Sequence, residues 1–424
     1  MDIPQGYKQT ELGIIPEDWE VKSFSQVFDM YPNNTYPRDC MNDSYGAIRN
    51  IHYGDILIKY PTIVDVERCS IPYLNEDVKI KAQKFVQSGD VIIADTAEDE
   101  TVGKCVEIKN AINAKIVSGL HTFFCHPIRI FAIGWWGYYL NSSNYHNQLL
   151  PYITGIKVSS ISRASIQETK LLVPPIAEQK AIAEALGDID GLIAALDKKI
   201  AKKRLIKQGA MQQLLTGKKR LPGFSDPWVE KKFSDLYRYA SEGGTPDTNN
   251  MRFYANGDVP FVKIEDTETK YIESCNSFIT SEGINNSSAW IVPVNSIIYT
   301  NGATIGNVSI NKIPVATKQG ILGIIPSSII NLEFMYYLLL SQNFKREVDS
   351  RQAKGTFATI ILKSLDEIPI YLPLNQMEQI AIATILSDMD KEIADLEAQR
   401  DKYRLLKSGM MQKLLTGQIR LKIK

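Results

Sequence analysis

Apolar residues recur at alternating intervals of four and three in two segments of the chain. The first set is Ile182, Leu186, Ile189, Ile193, Leu196 and Ile200, and the second is Ile382, Leu386, Met389, Ile393 and Leu396. This spacing gives a helix one narrow apolar stripe, as the a and d positions of a coiled coil do. Prolines precede and glycines follow each segment, which is the usual punctuation of a helix. We therefore predict two long helices whose stripes form a coiled-coil seam.

The two helical segments are copies of one another. Residues 178–221 align without a gap to residues 378–421, and 24 of the 44 positions are identical. Both copies contain E-Q-x-A-I-A, D-x-D and G-x-M-Q-x-L-L-T-G, and the motif W-x-x-K-x-F-S occurs farther upstream at both Trp19 and Trp228. An internal repeat determines architecture. Each half is therefore predicted to be one variable domain followed by one conserved helix.

The variable domains are predicted to be mixed α/β, because short β-branched runs such as residues 89–95 and 291–300 lie between turn-rich stretches. The second domain must carry the chain back to the start of the second helix, which favours an antiparallel pair. The predicted fold is two α/β domains separated by a long antiparallel two-helix coiled coil, with a pseudo-twofold internal repeat. Its predicted segments are 1–170, 171–221, 222–370 and 371–424.

Charge and composition narrow the class of protein. Lys and Arg total 48 and Asp and Glu total 48, so no global positive charge marks a non-specific nucleic-acid binder. Residues 197–232 are locally basic, with eleven basic residues against three acidic ones, and a phosphate backbone or plain solvent could face them. The start of the sequence has no signal-peptide pattern and no run is apolar enough for a membrane span, so we expect a cytoplasmic protein without membrane contact.

Searches for catalytic and metal-binding patterns give no match. There is no phosphate loop, H-E-x-x-H, G-x-S-x-G or dinucleotide motif. The five scattered cysteines are predicted to be reduced thiols, and the four histidines, His52, His121, His126 and His146, to be loop or core residues. An acidic loop, residues 95–100, could bind metal or read a cytosine amino group, although a solvated turn is the simpler interpretation. We predict no catalytic residues, no metal site and no directly bound cofactor.

The repeated text resembles the specificity subunit of type I restriction-modification systems. The matching stretches are TELGIIPEDWEV, PPIAEQKAIAEAL, GAMQQLLTGKKRLPGFSDPWVEKKFSDL and MEQIAIATIL with GMMQKLLTGQIRL. The order of variable and conserved segments is also that family's order, over nearly the whole chain.

The resemblance implies a non-catalytic subunit that recognises double-stranded DNA. Each variable domain would be a target-recognition domain for one half of a bipartite sequence, and the helices would set the spacer and bind two methyltransferase (modification) subunits. Restriction subunits would complete the complex. S-adenosylmethionine, ATP and Mg²⁺ are expected on those partner subunits, which would carry out adenine methylation and DNA cleavage.

Candidate DNA contacts come from two matched polar loops near Gly155 and Gly355. They are Lys157, Ser159, Ser160, Arg163, Lys354, Thr356, Thr359 and Lys363. An ordinary exposed loop is an equally good interpretation of these residues. The alternative function is a coiled-coil scaffold that links two protein-binding domains without reading DNA.

Overall fold

The computed structural model describes residues 3–78, 84–155, 157–302, 304–352 and 359–421. The chain forms two compact units: residues 1–197 with 398–424, and residues 198–397. We call them the first and second units. Each unit contains one variable domain and part of both long helices. The predicted segment boundaries remain predictions, since the compact units divide each helix instead of keeping it whole.

The two long helices are Ile176–Leu214 and Gln376–Leu414, each of 39 residues. Their starts are equivalent: the carbonyl of Pro175 accepts from the N–H groups of the third and fourth residues that follow, and the carbonyl of Asn375 does the same. Gly217 and Gly417 follow the helices with φ of 69° and 70°, a left-handed conformation that favours glycine at a helix end. The two predicted long helices and their punctuation therefore agree with the structure.

Ion pairs between the long helices run in opposite directions along the sequence. In the first unit Asp190 pairs with Lys407 and Asp197 pairs with Arg400. In the second unit the pairs are Lys203 with Glu392, Arg204 with Glu397 and Lys207 with Asp390. From Asp190–Lys407 to Lys207–Asp390 the residue numbers rise in one helix and fall in the other, so the predicted antiparallel coiled coil is confirmed.

Most of the predicted seam is buried. The buried positions are Ile182, Leu186, Ile189, Ile200, Ile382, Leu386, Ile393 and Leu396. Ile193, Leu196 and Met389 are half-buried. The first seam residues also pack on the variable domains: Ile182 and Leu186 share a core with Trp135 and Leu415. The apolar stripe therefore fastens each helix to a domain as well as to the other helix.

Both variable domains contain a five-stranded sheet with the same strand order. In the first unit the order is Phe28–Tyr31, Thr122–Pro127, Val91–Ala94, Cys105–Lys109, Ile63–Asp65. In the second it is Tyr237–Glu242, Ile321–Pro326, Ile297–Thr300, Val308–Asn311, Tyr271–Ile272. In each sheet only the last pair is parallel. The predicted mixed α/β class and internal repeat are confirmed.

A second sheet of four strands differs between the units. Its order is Ile116–Ser118, Arg49–Ile51, Tyr73–Leu74, Met41–Asn42 in the first unit. It is Phe278–Ile279, Val259–Val262, Val315–Thr317, Ile291–Val292 in the second. Each sheet has one parallel pair, at its edge in the first unit and at its centre in the second. When the two parallel pairs are superposed, three strands of one sheet correspond to three strands of the other. The remaining strands, Met41–Asn42 and Ile291–Val292, lie on opposite edges.

Smaller elements connect these sheets to the long helices. A two-stranded ladder precedes each helix: Glu20–Ser23 with Lys170–Val173, and Val229–Lys232 with Pro369–Leu372. Tyr7–Thr10 pairs with Gly13–Pro16, and Thr96–Ala97 with Ser159–Ser160. The short α-helices are Tyr53–Ile58, Trp135–Leu140, Ser143–Leu149, Arg163–Gln167, Ser281–Asn285, Leu332–Leu339, Gln342–Arg351 and Leu362–Asp366. Across the described ranges, the helices include none with the length and apolar character needed to cross a membrane.

Candidate nucleic-acid interface

In the first unit, three segments meet where the chain leaves the central strand Val91–Ala94. The N–H of Asp95 donates to the carbonyl of His121 at 3.1 Å, and the N–H of Ile161 donates to the carbonyl of Asp95 at 2.9 Å. Next to them, Thr96 lies opposite Ser160 in a two-residue ladder. We call these residues the first loop edge.

The second unit repeats this backbone arrangement. The N–H of Asn301 donates to the carbonyl of Gly320 at 2.9 Å, and the N–H of Ile360 donates to the carbonyl of Asn301 at 3.0 Å. The Asn301 side chain adds a bond from Nδ2 to the carbonyl of Ile360 at 3.1 Å. These residues, with Gly302, form the second loop edge. The two edges therefore match in these two backbone hydrogen bonds.

The side chains at the first edge are polar and accessible. His121 has a φ of 54°, which is uncommon for a residue other than glycine, and its side chain is 47% exposed. Its Nδ1 lies 3.3 Å from Oδ1 of Asp95 and 3.4 Å from Oγ1 of Thr96. The Tyr53 ring packs against the imidazole with 5.3 Å between centroids. One side of the imidazole therefore contacts the protein, and the other side is exposed to solvent.

The second edge has no side chain at the equivalent places. Gly320, with a φ of 85°, takes the position of His121, and Gly302 takes that of Thr96. A Cβ atom added to Gly302 would lie 3.0 Å from Cα of Gly320, which is closer than an ordinary van der Waals contact. The close approach therefore requires glycine, and this edge presents backbone groups in place of side chains.

Four sequence-predicted residues lie in the first unit. Ser159 and Ser160 form the ladder strand of the first loop edge. Lys157 is exposed. Arg163 starts a short helix and donates from Nη2 to the carbonyl of Met30 at 2.8 Å, so part of its guanidinium is already engaged.

Of the four predicted residues in the second unit, two can be placed. Thr359 is exposed beside Ile360 of the second loop edge, and Lys363 is exposed on the helix Leu362–Asp366. Lys354 and Thr356 lie outside the described residues. The sequence prediction did not include Thr96 and His121 among the candidate DNA contacts, because the three segments that meet at this edge are distant in sequence.

The acidic residues after the first edge form a turn. The Asp99 carboxylate accepts from the N–H and the hydroxyl of Thr101 at 2.9 and 2.5 Å, and these bonds lower the pKa of Asp99. In the portion of the chain that the structure describes, no group of three or more His, Cys, Asp or Glu side chains is placed to hold a metal ion. The geometry favours the solvated-turn interpretation of this loop.

Burial affects the titration of a histidine near the first edge. His52 accepts from the N–H of Gly54 and caps the helix Tyr53–Ile58, and burial lowers the pKa of His52. The neutral imidazole is the form that can accept this bond. His52 therefore supports Tyr53 and, through that ring, His121.

The two units share one backbone arrangement and differ at their loop edges. This combination defines a duplicated protein with two recognition domains. The sequence model of the type I restriction modification DNA specificity domain matches residues 225–403. The type I restriction enzyme MjaX specificity subunit of Methanocaldococcus jannaschii is 25% identical over 99% of this chain and 97% of its own length. The type I restriction enzyme HindI specificity subunit of Haemophilus influenzae is 29% identical over 45% of this chain and 42% of its own.

Solved structures agree on the fold. The type I restriction-modification system S subunit from M. genitalium aligns with a TM-score of 0.55 at 13% identity, over 98% of each chain. Over nearly its whole length the chain is therefore similar to a specificity subunit of type I restriction enzymes, and residues 225–403 match the DNA specificity domain of such systems. The alternative of a scaffold without DNA readout is not favoured, because the matching domain is defined by DNA specificity.

Proposed function

We propose that the chain reads a bipartite DNA sequence, with one half-site for each unit, and that its two loop edges contact the bases. The observation that carries this proposal is the difference between two otherwise matched edges. Thr96 and His121 stand in one unit where Gly302 and Gly320 stand in the other. Unlike surfaces on one repeated frame are what an asymmetric target requires.

The chemistry of the first edge suits a base edge in a DNA groove. Because Nδ1 of His121 faces the Asp95 carboxylate at 3.3 Å, Nε2 is the ring nitrogen available to DNA. It can accept from an exocyclic amine when the ring is neutral and donate when the ring is protonated. The second edge would instead offer backbone groups, since both equivalent positions are glycine. The eight loop residues predicted from sequence remain additional candidates.

Partner binding is supported by apolar side chains on the long helices. Leu205 and Ile206 are 68% and 46% exposed, and their repeat equivalents Leu405 and Leu406 are 76% and 50% exposed. Matched exposed apolar pairs are characteristic of surfaces that bind protein. We assign them to two modification subunits, one for each copy of the pair.

The chain itself would be non-catalytic within a cytoplasmic complex. Modification subunits with S-adenosylmethionine would carry out adenine methylation, and restriction subunits with ATP and Mg²⁺ would carry out cleavage. The spacing between the half-sites would follow from the length of the paired helices.

The test is motif mapping in cells that express the chain with its modification subunits. Wild type should give methylation at one bipartite motif. His121→Ala should relax the half-site read by the first unit by about tenfold, since a good base contact contributes roughly 1 to 3 kcal/mol of discrimination, and should leave the other half-site unchanged. His146→Ala is the matched control, because His146 lies on the helix Ser143–Leu149, outside the loop edge. Methylation without a bipartite motif would refute the proposal.

A further inference from the structure

The D-x-D motif of each long helix holds a three-residue cluster that the proposed function leaves unexplained. In the first unit the hydroxyl of Tyr138 donates to Oδ2 of Asp190 at 2.8 Å. Nζ of Lys407, on the other long helix, lies 2.6 Å from Oδ1 of the same carboxylate. The ammonium also lies 5.3 Å from the centroid of the Tyr138 ring. One carboxylate therefore joins the variable domain to both long helices.

The second unit contains the same three residues at the equivalent positions, and Nζ of Lys270 adds a bond to the Tyr337 hydroxyl at 3.0 Å. The hydroxyl of Tyr337 donates to Oδ2 of Asp390 at 2.7 Å. Lys207 pairs with the other oxygen of Asp390, and its ammonium lies 5.5 Å from the Tyr337 ring centroid. Each unit thus takes its tyrosine from a short domain helix, its aspartate from one long helix and its lysine from the other.

The buried environment of the two tyrosines strengthens these hydrogen bonds. Tyr138 and Tyr337 are 2% and 0% exposed, and burial together with the nearby aspartate raises the pKa of both tyrosines. Each hydroxyl therefore remains a donor to a charged acceptor, which is one of the stronger types of hydrogen bond in proteins. The first aspartates of the two motifs, Asp188 and Asp388, are exposed, so only the second aspartate serves this purpose.

Apolar packing cannot fix the angle of a domain on a helix as well as such a bond does. Ile182 and Leu186 hold the first domain to its helix through a shared core, but apolar attraction is non-directional and depends mainly on buried area. A carboxylate bound from two sides by groups of fixed geometry defines one angle. Buried polar contacts can select one packing arrangement over its neighbours in this way.

We propose that Asp190 and Asp390 are positioning residues for DNA recognition, each fixing the angle of one variable domain on the paired helices and thereby the spacing accepted between the half-sites. This inference rests on the proposed function. Loss of one tyrosine hydroxyl leaves the domain folded on its apolar core and lets it turn. The complex then accepts targets whose half-sites are one base pair nearer or farther apart.

The experiment uses the full chain in complex with its modification subunits and a DNA library. Once the wild-type motif is mapped, the library carries both half-sites with the native spacer and with spacers one base pair shorter and longer. Tyr138→Phe and Tyr337→Phe each remove only a hydroxyl. Each should raise methylation of the off-length targets relative to the native target by about tenfold, in line with a hydrogen bond to a charged group. Asp190→Asn, which weakens the bond to Lys407, should give a smaller rise of the same kind.

Tyr145→Phe is the matched control. Its hydroxyl lies 3.2 Å from Oγ1 of Thr169 within the first unit, away from the helix clusters, so its loss should leave the preference for spacer length unchanged. A spacer preference that stays at the wild-type value in both Tyr138→Phe and Tyr337→Phe overturns the inference, as does equal loosening in Tyr145→Phe. Because wild type must first give a bipartite motif, failure of the proposed function is seen separately.

Discussion

The two units hold equivalent buried glutamates with the same donors but secure the donating arginine differently. In the first unit Glu178 accepts from Nε1 of Trp19 at 2.9 Å and from Nε and Nη2 of Arg420 at 3.0 and 2.6 Å. Arg420 binds a second carboxylate as well, that of Asp18, at 2.8 and 2.9 Å. The guanidinium thus joins three segments that are far apart in sequence.

In the second unit the equivalent glutamate has the same donors, but its arginine lacks the second carboxylate. Glu378 accepts from Nε and Nη2 of Arg220 at 2.7 and 2.9 Å, and Nε1 of Trp228 lies 3.3 Å away. The residue before Trp228 is Pro227, where the first unit has Asp18 before Trp19. No second carboxylate is therefore supplied at this position.

Chain connectivity explains the difference. Arg220 and Trp228 are joined by a short covalent link, whereas Arg420 lies 402 residues from Asp18. Closing a long loop costs conformational entropy that a short connection does not incur. The additional bidentate contact with Asp18 offsets that cost, so the repeat keeps its geometry where the backbone is not continuous.

The largest expected effect comes from removing the two arginines. Arg420→Ala leaves Glu178 buried beside a single donor and releases Asp18, so we expect a loss of about 4 kcal/mol in the free energy of unfolding. Arg220→Ala should lose less, because Arg220 binds only one carboxylate. Chemical denaturation of both variants measures these losses. Hydrogen exchange should show Tyr7–Pro16 losing protection in Arg420→Ala, because the Tyr7 hydroxyl donates to the carbonyl of Gly417.

Equal losses in the two variants, with unchanged exchange at Tyr7–Pro16, would contradict the connectivity argument. Asp18→Ala sharpens it further, since that change removes only the contact that the second unit lacks. Asp18→Ala should lower the free energy of unfolding by about 1 kcal/mol, as expected for a partly exposed ion pair. The contacts of Arg420 would then match those of Arg220 in the second unit.

The duplicated features were the predictable ones. Leu186 and Leu386 occupy equivalent positions of the repeat, so the pattern that predicts one helix predicts the other, and their antiparallel pairing follows from connectivity. The loop edges were not predictable in the same way, because the φ of 54° at His121 results from contacts among three segments distant in sequence. The strands Met41–Asn42 and Ile291–Val292 of the four-stranded sheets could not be predicted from sequence either, because strands of two residues show almost no periodicity.

A second comparison concerns the starts of two equivalent domain helices. Glu107, on a neighbouring strand, accepts from the N–H groups of Gly134 and Gly137 at 2.8 and 2.6 Å. The helix Leu332–Leu339 is instead capped by its own Asn331. The first unit thus uses a buried, titratable group where the second uses a neutral amide.

Glu107→Gln tests whether this difference makes the first unit sensitive to pH. Burial raises the pKa of Glu107 from 4.5 to about 7, so the fold favours the protonated acid. The resulting stabilisation is complete below the unfolded pKa and is lost as the pH rises through about 7. Relative to the variant, wild type should therefore lose about 3 kcal/mol between pH 4.5 and 8.

Denaturation of wild type and Glu107→Gln across this pH range measures the difference, and hydrogen exchange of Trp135–Leu140 locates it. Working with the difference cancels the contribution of Asp90, whose pKa is also raised by burial. A difference that stays constant from pH 4.5 to 8 would mean that Glu107 does not titrate in this range.

The smallest effect is expected at the second helix start. Asn331→Ala removes the acceptor of the N–H of Phe334, which lies 3.1 Å away, and should lower the stability of the second unit by about 1 kcal/mol. Because an amide side chain does not titrate, this loss should be the same at pH 5 and pH 8. Hydrogen exchange of Leu332–Leu339 at both values measures it. A loss that grows with pH would show that the second unit has its own buried titrating group and that the two helix starts are electrostatically alike.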